Sequence, residues 1–237
     1  MEKKFKEVCR EIKVVLCDTQ KLLKEAKKIR HEVFCVENGY EPIAINALEQ
    51  DEYDEHSHHL LAMDRMTGES VGTMRIIISK DLPMDIHMPE NHILKRTIFS
   101  GGKVVELSRL AVLSTYRGAY VAKASTALFL AAGFMVVKLG YNGAGAIMQE
   151  SLARIIGRLG MKCTKITDSF EHRGLRSVYL MPSLDFIASW SKHTSYNREN
   201  FDQYFASLGD FGFDSCLDII SNNEPNLTPV NIERMTS

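Results

Sequence analysis

Paired cysteines, a concentration of basic charge and the common catalytic signatures are all missing from this chain of 237 residues. Its five cysteines, Cys9, Cys17, Cys35, Cys163 and Cys216, are scattered, odd in number and without a CxxC pair. That argues against a disulfide framework or zinc knuckle as the organising device and favours reduced thiols in a cytoplasmic protein. With 29 Lys+Arg against 30 Asp+Glu, the formal net charge is -1, so composition offers no footprint for nucleic acid. The start, MEKKFKEVCR, is charged but has no apolar run behind it, and no signal peptide is expected. The most apolar later stretch, residues 119–139, carries two lysines among its alanines and reads as a buried helix rather than a membrane span. A nucleophile elbow, a complete P-loop and a zincin pair are absent, which argues against the usual hydrolase, nucleotidase and metalloprotease chemistries.

What is present is ordinary globular composition, 45% hydrophobic and 25% charged, in a chain long enough for one α/β core. EIKVVLC (11–17) reads as a first strand, with Asp18 or Thr19 to cap the next helix. Leu22, Ala26, Ile29 and Val33 give that helix a core-facing stripe, and Asn38-Gly39 followed by Pro42 should end it. After an acidic loop at 49–55, residues 58–64 and 71–79 form a hairpin around MTGES. Residues 80–102 are punctuated by proline, glycine and histidine and are expected to be loop with short helical pieces. KVVELSRLAVL (103–113) is the most strand-like segment and leads into the long helix. A short strand over 143–148, a helix closed by Gly160, and strands over 162–167 and 175–181 follow. The order predicts a mixed, twisted sheet flanked by helices over residues 1–182, with 183–237 a helical or irregular extension ending in a loose tail.

Charge stands where it is unexpected. Arg75 lies in VGTMRIIIS, and Glu106 and Arg109 lie in VVELSRLAVL, both strand-like segments that should be covered. Burying isolated charges is costly, so they imply mutual pairing or ligand contact. Arg30 and the acidic set Glu49, Asp51 and Asp54 are positioned to complete an ion network. In a regular strand Glu106 and Arg109 face opposite sides; serving one site requires a bulge between them. The alternative is that both are packing and edge charges. The passage YRGAYVA, with Arg117, Gly118, Ala119 and Tyr120, is either an anion cradle for a carrier's phosphate or an ordinary turn. His58 and His59 point to opposite strand faces and do not together suggest a metal. Cys35 has no base in its sequence context and reads as packing. Phe34 and Tyr40 line either a ligand wall or the core.

Taken in order, these residues resemble the acyl-homoserine-lactone synthases and N-acyl amino acid synthases, and most closely the acyltransferases of bacterial exosortase (PEP-CTERM) systems. The resemblance rests on Arg30 and Phe34 in RHEVF, Glu49, Asp51 and Asp54 in EQDEYD, Arg75, and Glu106 with Arg109 in ELSR. MQESLARIIGRLG and SFEHRGLRSVYLM carry the narrower likeness to the exosortase-associated branch. The likeness covers residues 10–182 and implies a GNAT-like fold (acyl-CoA N-acyltransferase fold) and an acyl thioester donor, either acyl carrier protein (acyl-ACP) or coenzyme A (acyl-CoA). Tyr40 stands where the lactone synthases have tryptophan, and the phosphate loop around Arg117 lacks the paired glycines of acetyltransferases.

The function expected from the resemblance is transfer of a medium- or long-chain acyl group to the amine of an amino acid or related metabolite. An acyl-homoserine-lactone synthase using S-adenosylmethionine is the alternative enzyme, and a non-catalytic acyl-thioester-binding regulator the alternative of another class. Glu49, Asp51 and Glu106 are the candidate proton acceptors, with Arg109 the leading candidate for holding a carboxylate. Arg30, Phe34, Tyr40, Asp54 and Arg75 are the expected substrate-binding set. Arg117, Gly118, Ala119 and Tyr120 form the donor set, with no permanently bound cofactor and no metal.

Overall fold

The computed structural model describes residues 11–88, 103–116, 119–158, 160–183 and 186. The first strand, β1 (Ile12–Leu16), is followed by α1 (Gln20–Arg30). Thr19 caps α1, its hydroxyl accepting from the Leu22 amide at 3.3 Å. The helix continues as a π-helical segment, His31–Glu37, that the stripe of apolar residues does not foretell. It ends where Asn38 donates from its side chain to the Val33 carbonyl at 2.5 Å and Gly39 takes a φ of +61°. The hairpin β2 (Ser57–Asp64) and β3 (Ser70–Ile77) comes next. Then follow a 3-10 turn at Pro83–His87, β4 (Val104–Val112), α2 (Ala119–Lys138), β5 (Gly143–Met148) and α3 (Glu150–Arg158). The last strands are β6 (Thr164–Lys165), β7 (Phe170–Glu171) and β8 (Leu175–Pro182).

The strands join in the order β1-β2-β3-β4-β5-β8-β6, with β7 paired to β8. All pairs are antiparallel except β4 with β5. Both faces are covered. On one face Leu60, Met74, Ile76, Val105 and Leu107 pack with the buried residues of α2. On the other, Leu61 and Ala111 pack with Ala26, Ile29 and Val33 of α1 and its continuation. Burial on both faces explains why the central strands read as nearly continuous apolar runs. It also means that Arg75, between Met74 and Ile76, and Glu106, between Val105 and Leu107, point to the α1 face.

The expected mixed sheet flanked by helices is present. The strand expected over 162–167 is only Thr164–Lys165, and the two-residue β7 has too little length to leave an alternating pattern. Among the described residues no helix is long and apolar enough to cross a membrane. The extension at 183–237 lies outside the described residues apart from Ser183 and Phe186, whose ring occupies the space a side chain at Gly133 would need.

Candidate active site

Two irregularities of β4 make the site. Thr73 pairs with Ala111 but Arg75 pairs with Ser108, so β4 carries one residue more than β3 across this step. The extra residue is a β-bulge at Arg109, whose φ is +52°. Ser108 bonds Arg75 on the α1 face, Leu110 packs toward α2, and Arg109 therefore shares a face with Glu106. The expected bulge is present, and both side chains line one cavity of about 640 Å³. Secondly, β4 and β5 pair over only three positions, the last being Glu106 with Gly145, before they part. Residues of both strands beyond that point, Leu107 and Ser108 of β4 and Ala146 and Ile147 of β5 among them, border the cavity.

Arg30, Arg75 and Arg109 alternate with Glu49, Asp51 and Asp54 in a closed ring. Arg30 donates from Nε to Glu49 and from Nη1 to Asp54 at 2.7 Å. Arg75 Nη1 donates to Asp54 at 2.7 Å and also to Asp51. Arg109 closes the circuit, from Nε to Glu49 at 3.0 Å and from Nη2 to Asp51 at 2.9 Å. Each carboxylate is thus shared by two guanidiniums, which satisfies the condition under which buried charge is tolerated. Burial pushes Asp51 and Asp54 up, but the arginines outweigh it: Arg30 and Arg75 hold Asp54 at about 2, and Arg75 and Arg109 hold Asp51 below its ordinary value. His59, opposite Arg75 in the sheet, is driven down to about 4 chiefly by burial and adds no charge at neutral pH.

Glu106 stands apart. Among the described residues it has no ion-pair partner, and its Oε2 accepts from the Met84 amide at 2.7 Å. Only 2% exposed, it is raised by burial to about 8, against the lowering pull of that amide and of Arg75 and Arg109. Of the two alternatives for Glu106, mutual pairing or ligand contact, pairing is not found among the described residues: the ring carboxylates occupy those guanidiniums, and Glu106 is held by the Met84 amide. Gly145 permits this arrangement, since a Cβ there would collide with Met84.

Of the expected substrate-binding residues, Phe34 and Tyr40 border the same cavity, and the Arg109 guanidinium lies 5.6 Å from the Phe34 ring centroid. Arg117 and Gly118 of the expected donor cradle lie outside the described residues, and for Ala119 and Tyr120 only helical backbone is described. Residues that sequence reading missed are Glu41, Ser108, His172, Arg173 and Arg176. Arg173 pairs with Glu41, which also lies 3.5 Å from Arg109. The available signal was two arginines flanking a glycine in HRGLR, immediately before a strand.

Residues 29–126 match the family model described as an acetyltransferase (GNAT) domain. No curated protein matches the sequence. Among solved structures, the chain is similar to the CoA-dependent acyl-homoserine lactone synthase BjaI at 17% identity, covering 77% of this chain and 89% of that one with a TM-score of 0.57. It is similar to the AHL synthase LasI at 17% identity, over 73% and 89% of the two chains, with a TM-score of 0.56. The match to FeeM, an N-acyl amino acid synthase from uncultured soil microbes, has 15% identity over 78% and 98% and a TM-score of 0.54. With its parted β4 and β5, its flanking helices and its match to the acetyltransferase model, the chain carries the GNAT-like fold shared by these synthases.

Proposed function

We propose that this protein transfers an acyl group from a coenzyme A or acyl-carrier thioester to the primary amine of a small acceptor, with Glu106 receiving the amine proton. The observation that carries this reading is a buried carboxyl raised to about 8, lining a cavity where two parallel strands part. An amino group of ordinary basicity arrives protonated and cannot attack until it loses a proton. A carboxylate with a pKa near 4 is mismatched to that task by several units, each worth about 1.4 kcal/mol. In its ionised form, whose share grows as pH rises toward 8, Glu106 is nearly matched, while the ring carboxylates are committed to arginine. The freed amine nitrogen attacks the thioester carbonyl, the C–N bond forms, and the C–S bond breaks to leave a thiolate that takes up a proton. Backbone amides exposed where β4 leaves β5 supply donors for the oxyanion.

S-adenosylmethionine is the acceptor this reading favours, because the similar structures are described as acyl-homoserine lactone synthases and one holds S-adenosylmethionine with isopentyl-CoA. A free amino acid is the second reading, supported by the similarity to FeeM and by Tyr40 in the acceptor region. An exosortase-associated role rests on the sequence resemblance alone. Mass spectrometry of products from long-chain acyl-CoA or acyl carrier protein, S-adenosylmethionine and pooled amino acids tests the proposal. A lactone supports the first acceptor and an N-acyl amino acid the second. Absence of any amine-dependent product with both donors sinks acyl transfer.

A further inference from the structure

Most of the charged side chains around the cavity are paired. The ring of three arginines and three carboxylates is neutral, Glu41 answers Arg173, and Glu106 is largely protonated at neutral pH. Arg176 stands outside these pairs, and Glu52, which also borders the cavity, lies beyond ion-pair distance of it. Arg176 borders the cavity, has no carboxylate within ion-pair distance among the described residues, and its Nε is buried without a hydrogen-bond partner. Its Nη2 donates to the Arg173 carbonyl at 3.3 Å. Tyr40 shares a side-chain hydrogen bond with it but brings no carboxylate to pair with the guanidinium. Arg173 and Gly174 adopt φ of +54° and +92°, and the β7–β8 hairpin brings His172, Arg173 and Arg176 to one cavity.

We infer that Arg176, assisted by Arg173, is the subsite for the α-carboxylate of the amine acceptor. The inference deepens the proposed acyl transfer and rests on it for the identity of the ligand. Both acceptors considered above carry an α-amino acid group, which places an anion one carbon from the attacking nitrogen. A planar guanidinium with a buried, unfilled donor matches a carboxylate. Arg109, the candidate by sequence, is already spent on Glu49 and Asp51. Arg176 thus selects amino acids over simple amines, and Tyr40 flanks the same group. A phosphate of the thioester donor has the same anionic chemistry, and the experiment separates the two.

Calorimetric binding to the full chain reads this directly, using matched pairs: S-adenosylmethionine with its decarboxylated form, and a panel of amino acids with their decarboxylated amines. The wild type should bind the carboxylate member of at least one pair about 10- to 100-fold more tightly, as expected for charge-assisted hydrogen bonds. In Arg176→Gln that ratio should fall toward one while the amine's own affinity holds, and Arg176→Lys should recover part of it. Thermal melting confirms that each variant is folded. No carboxylate preference in any pair, or a preference unchanged in Arg176→Gln, overturns the subsite. So does a loss confined to acyl-CoA binding, which would assign Arg176 to the donor's phosphate. Because binding is read without turnover, the two proposals fail separately. A carboxylate preference lost in Arg176→Gln, in a protein that forms no amide, keeps the subsite and removes the transferase reading. Amide formation with acceptor preference intact in the variant does the reverse.

Discussion

Glu106 concentrates the chemistry in one side chain, and its two proton-linked properties are separable. As the proton acceptor it should contribute about 100-fold or more to turnover, so Glu106→Gln is expected to lower kcat by that factor in a steady-state assay, with little change in folding. Its effect on stability has a defined sign. The folded carboxyl is raised from 4.5 to about 8, so the fold retains a proton that the unfolded chain releases. That contribution is present below about pH 4.5 and is lost as pH rises toward 8. Urea unfolding of wild type and Glu106→Gln should therefore show the variant gaining relative stability across this window; parallel curves would contradict the burial argument. Arg75, 1% exposed, behaves differently. Arg75→Ala strips one of the two guanidiniums from both Asp51 and Asp54, and breaking buried pairs of this kind costs about 3–5 kcal/mol. The same unfolding assay measures it.

On the scale of the element, β4 decides whether a strand becomes a site. Its Val-Val-Glu-Leu-Ser-Arg-Leu run announces a strand, and the unexpected charges announce a function. The bulge itself was legible only as a condition, since nothing in the residue types fixes which position takes the left-handed conformation. Arg109 does, at +52°, and the strain is measurable by comparing Arg109→Ala with Arg109→Gly. Both lose the guanidinium, but glycine should be the more stable by about 1 kcal/mol in chemical denaturation, because only alanine carries a Cβ into that conformation. The neighbouring strand supplies a steric test. Gly145→Ala must displace Met84, whose amide holds Glu106, and should reduce kcat; adding Met84→Ala should restore part of it if displacement is the cause. The π-helical His31–Glu37 segment and the two-residue β7 were not legible, because their hydrogen-bond pattern and brevity leave no periodicity of their own, and β6 is shorter than the strand expected there.

Across the whole molecule, opposite proton linkages set a stability optimum. Asp51 and Asp54, held down by arginine, stabilise the fold above about pH 4, and the Asp54 contribution is lost as pH falls toward 2. Glu106 stabilises it in the other direction. The ligand-free protein should accordingly be most resistant to urea near pH 5, roughly, and Glu106→Gln should move that optimum toward neutrality. Architecture was the most legible level, since strands and helices long enough to carry a period declared themselves and their order predicts the mixed sheet. Partnership was the least legible: EQDEYD named the acids of the ring, but Glu41 with Arg173, 132 positions apart in the chain, meet only through the fold. The ring has a further implication for how such a protein diversifies. Every ring residue answers to two neighbours, so replacing one unsettles both, and a single step there has nowhere stable to go. Tyr40, Arg173 and Arg176 border the same cavity without belonging to the circuit. A lineage changing its acceptor has a passable route through those three, with the chemistry of β4 left intact behind it.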